Sequence, residues 1–265
     1  MWIDTHLHLD EPWLTDDKLR QKTIADITEN KIVTWAQSCD IPSYEKTLEY
    51  SKDSEYIFPS FGILPWYANE YMERLDEVRK LSEEALMIGE IGLDMASSRN
   101  KATKEEQDAL FSVFLEVSEK RNKILNCHFR GGLEENGFEF LSSYDIKKGI
   151  FHHYSGPPEM IDKINEHGFY VSYGSAGYYK LSKGMQDYLN LRLPKVHDDL
   201  LIVEIDVLGR GVDYKPPSVV FPKILQVLAD IKKTTPDEIE ALNYKNVLRL
   251  VGNDSKLKPM FDLPK

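Results

Sequence analysis

Only two cysteines, Cys39 and Cys127, occur in the 265 residues. They lie far apart, each inside an apolar run, which excludes a disulfide framework and fits buried thiols in a reducing, cytoplasmic compartment. No apolar run approaches the roughly 20 residues that span a bilayer, and the first segment reads as a strand, leaving no room for a removable signal peptide. No membrane partner is expected. Positive charge is also scarce: 33 Lys and Arg stand against 44 Asp and Glu, a net charge of -11. A field of that sign repels phosphate backbones at long range and excludes broad electrostatic capture of duplex nucleic acid. It still allows a nucleic-acid enzyme, because divalent cations held in a pocket invert the potential where the phosphate must sit. A glycine-rich phosphate turn after an early strand is missing too, which argues against a Rossmann-type dinucleotide fold.

The chain is long enough, at 42% hydrophobic and 29% charged residues, for one large core, and a single domain over residues 1–265 is the simplest reading. Apolar, β-branched or aromatic runs alternate with amphipathic stretches almost from end to end. The pattern predicts eight strands, near Trp2–Leu7, Ile32–Ser38, Tyr56–Gly62, Met87–Ile91, Ile124–His128, Gly149–His152, Tyr170–Tyr173 and Leu201–Ile205. Helical patterns fall between and after them: Asp16–Glu29, Tyr44–Ser51, Asn69–Leu81, Lys104–Arg121, Glu134–Leu141, Pro157–Glu166, Ser182–Leu191, Pro217–Lys232, and a final pair, Thr235–Leu242 and Tyr244–Leu250. In Lys104–Arg121, Leu110, Phe111, Phe114, Leu115 and Val117 recur at helical spacing and read as core. Eight strand-helix units in about 250 residues fit an α/β fold of the closed (β/α)8 TIM-barrel type, whose reactive groups gather at the C-terminal ends of the strands.

The candidate ligands fall at those ends. His6 and His8, two apart on a strand, project from one face and aim two imidazoles at one point. Glu90, in Met87-Ile88-Gly89-Glu90-Ile91-Gly92-Leu93-Asp94, ends the fourth apolar run between glycines that let the backbone turn and approach closely, and its two oxygens suit a bridge between cations. His128 ends the fifth run, with Arg130 two positions on as a fork for a phosphate or carboxylate, or as a structural ion pair. Adjacent strand residues point to opposite faces, so only one of His152 and His153 is expected to look into the site. His152 is preferred and His153 is assigned an orienting or packing role. Asp206 closes the eighth run as last ligand or general base, and Glu204, deeper on the same face, suits orienting a histidine by hydrogen bonding. Four histidines and two carboxylates so placed can hold two cations about 3.5–4 Å apart, the arrangement of two-metal hydrolytic sites.

These residues resemble the TatD-like metal-dependent deoxyribonucleases of the amidohydrolase superfamily. The matching pieces run in family order: Ile3-Asp4-Thr5-His6-Leu7-His8-Leu9-Asp10, Gly89-Glu90-Ile91-Gly92-Leu93-Asp94, Cys127-His128-Phe129-Arg130, His152-His153-Tyr154-Ser155-Gly156, Glu204-Ile205-Asp206 and Asn246-Val247-Leu248-Arg249. The resemblance implies one cation at His6, His8, Glu90 and Asp206 and a second at Glu90, His128 and His152, with zinc, manganese or magnesium as the metal. It implies phosphodiester hydrolysis on DNA, typically from single-stranded or 3′ ends, a reaction in which the residues read above put Glu90, as bridge, and Asp206, as base, in the catalytic roles. Two pieces depart from the family pattern. Gly62-Ile63-Leu64-Pro65 stands where Gly-Xaa-His-Pro is usual, removing an imidazole expected near the substrate, and Glu204-Ile205-Asp206-Val207-Leu208 replaces Glu-Thr-Asp-Xaa-Pro. Trp66 and Tyr67 follow the lost histidine, placed either to stack on a base or to pack the rim. The competing expectations are hydrolysis of a small ester, lactone, amide or phosphodiester by the same metals, and a non-catalytic barrel that binds a protein partner.

Overall fold

The computed structural model describes residues 1–10, 14–174, 183–208 and 214–264. Eight parallel strands form one sheet in sequence order: β1 (Ile3–Leu7), β2 (Val33–Gln37), β3 (Ile57–Phe61), β4 (Met87–Asp94), β5 (Leu125–Arg130), β6 (Gly149–Phe151), β7 (Tyr170–Tyr173) and β8 (Leu201–Val203). Every residue of β1, β2 and β4 is buried, as parallel strands covered on both faces require. The sheet curls until β8 returns to β1. There an isolated parallel bridge pairs Leu7 with Asp206, His8 N–H donates to the Asp206 carbonyl at 3.1 Å, and Asp206 N–H donates to the His6 carbonyl at 2.6 Å. The expected barrel is present and nearly closed, and the seam that closes it carries three of the predicted site residues.

Helices cover the outside. Lys104–Arg121 begins at a capping box, with Thr103 Oγ1 accepting from Glu106 N–H at 3.2 Å while the Glu106 carboxylate accepts from Thr103 N–H at 2.7 Å. Its five predicted core residues are all buried, and Phe111 packs edge-on against Phe129 of β5 at 5.6 Å. The C-terminal region differs from the expectation: Thr235 and Pro236 do cap and start a helix, but it runs unbroken over Pro236–Val251. Asn243 interrupts the apolar periodicity there because it faces the barrel seam, accepting from Val203 N–H at 2.9 Å and donating to the Ile3 carbonyl at 2.7 Å. The segment predicted as Asn69–Leu81 divides into a 3-10 stretch, Pro65–Arg74, and an α-helix, Leu75–Glu84. Of the helix expected at Ser182–Leu191, Ser182 lies outside the described residues and Lys183–Arg192 is helical.

β4 is also longer than expected. It passes through both glycines and ends at Asp94, so Glu90 sits mid-strand, at an irregularity in the β4–β5 register, not at the strand's end. Gly92 permits this: at φ 146° it lies opposite His128, and a Cβ there would fall 1.9 Å from the His128 carbonyl oxygen. The close approach of β4 and β5 brings Glu90 and His128 together.

Candidate metal centre

At the C-terminal mouth of the barrel, β1 presents His6 and His8. Asn126 of β5 donates through Nδ2 to the Thr5 carbonyl at 3.1 Å, which leaves its Oδ1 as an acceptor 3.0 Å from His6 Nδ1. That contact suits a proton on Nδ1 and leaves Nε2, facing inward, as the nitrogen a cation would take in place of a proton. His6 Nε2 lies 3.1 Å from His8 Nε2 and 3.5 Å from Glu90 Oε2, while His8 Nε2 lies 2.9 Å from the same carboxylate oxygen. The other oxygen, Oε1, faces His128 Nδ1 at 2.7 Å and His152 Nε2 at 3.7 Å. Glu90 therefore divides its two oxygens between two histidine pairs.

Support for the ring nitrogens facing away comes from two further acids. His128 Nε2 meets Asp94 Oδ2 at 3.0 Å, and His152 Nδ1 meets Glu204 Oε2 at 2.9 Å. Glu204 thus orients a histidine as expected, with Ser172 Oγ also donating to it. The β1–β8 seam is stitched by buried Asp4, whose Oδ1 accepts from His6 N–H at 3.1 Å and Ile205 N–H at 2.8 Å. Burial raises the Asp4 carboxyl well above its ordinary range.

Electrostatics follow from crowding in a dry pocket. Burial pushes the Glu90 carboxyl up, but the His128 charge and hydrogen bonds from His128, His6 and His8 outweigh it and hold the group well below the usual carboxylate range. Burial opposes charge on His128, yet Glu90 and Asp94 push it up to about 9. His152 is held below an ordinary imidazole, chiefly by burial. A protonated His128 beside two acids is the state in which a proton occupies the place of a cation.

Three sets of ligand atoms lie within 4.8 Å of one another: His6, His8 and Asp206; Glu90, His128 and His152; and His6, His152 and Glu204. The first two bring together all six residues expected as ligands. In them imidazole nitrogens and carboxylate oxygens converge, a donor set that fits borderline divalent cations such as zinc or manganese. A cavity of about 510 Å³ opens above them, with His8, Glu90, His128, His152 and Asp206 at its base.

A family profile described as TatD related DNase matches residues 3–252. The chain belongs to the TatD family. It is accordingly a TatD-like metal-dependent hydrolase. It is 25% identical over 255 residues to an uncharacterized metal-dependent hydrolase of Methanocaldococcus jannaschii, covering 94% of this chain and 96% of that one. A protein of Pectobacterium carotovorum named 3′-5′ ssDNA/RNA exonuclease TatD is 26% identical over 173 residues, 62% of this chain and 64% of its own. The crystal structure of YjjV, a TatD homologue of Escherichia coli, shares the fold with a TM-score of 0.78 at 18% identity, covering 94% of this chain and 97% of that one.

In this TatD-family chain the outer wall separates the two aromatic residues and departs from expectation at His153. Trp66 lines the cavity, its ring edge-on to His128 at 5.8 Å, but Tyr67 packs on Trp66 at 6.1 Å and is not part of the cavity wall. Both His152 and His153 reach the cavity, because His153 adopts φ 40° just beyond β6 and so escapes strand alternation. Arg130 is the last residue of β5 and faces the same cavity as His128, exposed and with no salt bridge among the described residues. Leu64, in place of the usual family histidine, is fully buried against Cys39 and Trp66. Sequence reasoning missed Asp94 and Asn126, which act across strands. Their sequence signals were a polar side chain in a mostly buried strand and, for Asp94, its place in the Gly89–Asp94 piece. Among the described residues no helix is long and apolar enough to cross a membrane.

Proposed function

We propose that this chain is a TatD-type nuclease that hydrolyses phosphodiester bonds at the 3′ ends of single-stranded DNA. The observation that carries this reading is Glu90, buried between two histidine pairs with one oxygen turned to each. In this reading His6, His8, Glu90 and Asp206 hold one cation, and Glu90, His128 and His152 hold the other. Bound cations supply Lewis-acid polarisation of the phosphoryl group and a more acidic water. Asp206, half-buried at the cavity base, accepts the proton of the attacking water. Glu90, kept ionised by its histidines, holds the two halves of the centre in fixed relation. Arg130 and Trp66 stand on the wall, where they face a phosphate and an unstacked base of the entering strand, and an acidic surface is compatible with this because only a strand end need enter.

The test is hydrolysis of oligonucleotides labelled at the 5′ end, with magnesium, manganese or zinc added. A ladder shortening from the 3′ end supports the reading, and intact DNA under every metal contradicts it. One feature favours a second reading, hydrolysis of a smaller ester or lactone: the apolar cluster of Leu64, Cys39 and Trp66 that stands where the family usually places an imidazole. Carboxylester turnover far faster than phosphodiester turnover would select it.

A further inference from the structure

The cavity wall is charged in a way the metal centre does not require. Acids lie at its base, and Arg99 and Arg130 are the only Lys or Arg among the described residues that line it. Arg99 belongs to the loop after β4, and Arg130 ends β5 in register with Asp94. The two loops leave the barrel in backbone contact: Gly131, at φ 76°, passes so near Ala96 that a Cβ would meet its backbone nitrogen at 2.9 Å.

The Arg99 loop is tied down at several points. Asp94 Oδ1 accepts from Ala96 N–H at 2.7 Å and Ser97 N–H at 3.0 Å, and Ser97 Oγ accepts from Arg99 N–H at 3.2 Å. From behind, fully buried Gln107 donates to the Asp94 carbonyl at 3.0 Å and to Asn100 Oδ1 at 3.2 Å, and accepts from Asp94 N–H at 2.9 Å. A loop ordered in advance presents its cation without an ordering cost on binding. Asp94 also holds His128, so this loop and the metal centre share one anchor.

We propose that Arg99 and Arg130, with the hydroxyls of Ser97 and Ser98, form a second anion subsite that binds the phosphate adjacent to the one being hydrolysed. The inference rests on the phosphodiesterase reading above and names its substrate more narrowly: a strand end with at least two successive phosphates. A guanidinium pair suits that group because each offers a planar fork of donors. A lone phosphodiester would engage the cavity base but leave this rim empty.

The experiment is calorimetric titration of manganese-loaded protein with a thymidine dinucleotide carrying a hydrolysis-resistant phosphorothioate linkage, with and without a 5′-phosphate. Wild type should bind the 5′-phosphorylated form at least about tenfold more tightly, the effect of one charge-assisted contact. Arg99→Ala should reduce that ratio to below about threefold, and Arg99→Lys should recover part of it. Equal binding of both forms by wild type, or an unchanged ratio in Arg99→Ala, overturns the subsite. Hydrolysis of the unmodified dinucleotide is scored separately. Turnover with no preference leaves the nuclease reading standing without the subsite, and preference without turnover leaves the subsite without the nuclease.

Discussion

Asp94 is the residue whose replacement would separate the two halves of the proposed metal centre. Its Oδ2 lies 3.0 Å from His128 Nε2, which keeps a proton on that nitrogen and leaves Nδ1, facing Glu90, as the one a cation would take, and its Oδ1 accepts two backbone N–H groups of the following loop. Asp94→Asn preserves volume but leaves one oxygen for both tasks. If the amide oxygen keeps the loop, the amide nitrogen faces His128 Nε2, and a donor meets a donor unless the imidazole changes tautomer and loses its Nδ1 lone pair. The lost charge-assisted hydrogen bond is worth about 1.5–3 kcal/mol, which converts to a roughly 10- to 150-fold weaker cation at the His128 half. That range agrees with the 10- to 100-fold typical of removing a histidine's carboxylate partner. The assay is competitive chelator titration with manganese, resolving two classes of site. The expected outcome is one class weakened and the class built on His6 and His8 changed less than about threefold. Equal weakening of both classes, or none, would refute the reasoning.

Asp206→Asn should reduce kcat by about 10²- to 10⁴-fold, the usual contribution of a positioned base, with a smaller change in KM, measured by steady-state hydrolysis of a labelled oligonucleotide. Because His128 in the folded, metal-free protein is pushed up to about 9, stabilisation from its charged form is complete below its unfolded pKa near 6.5 and lost as pH rises through about 9. Thermal unfolding in chelator should therefore show a declining melting temperature across that interval in wild type and a flatter profile in His128→Asn. Gly92→Ala sets a Cβ 1.9 Å from the His128 carbonyl at φ 146°, and crowding plus backbone strain should cost roughly 2–6 kcal/mol, read from the urea midpoint.

Much of this arrangement is legible in the sequence, because a parallel barrel writes itself as buried runs separated by amphipathic ones, and its candidate ligands fall near the ends of those runs. His6, His8, His128 and His152 stood where strand direction alone would bring them together. Glu90 was legible as a residue but misplaced along its strand, since Gly89 and Gly92 read as a turn when their role is close packing against β5. The two histidines after β6 were separated by an alternation rule that a single positive φ at His153 breaks. Asn243 concealed a continuous helix by placing a polar side chain on its buried face. Asp94 and Asn126 act through partners on neighbouring strands, and no spacing along one strand encodes a contact across two.

Glu90 is the carboxylate proposed to join two cation sites, and metal content tests that role most directly. After loading with manganese and dialysis, wild type should retain about two ions per chain, as two-metal hydrolytic sites do, and Glu90→Ala no more than one. A Glu90→Ala protein that still holds two ions per chain would contradict the account.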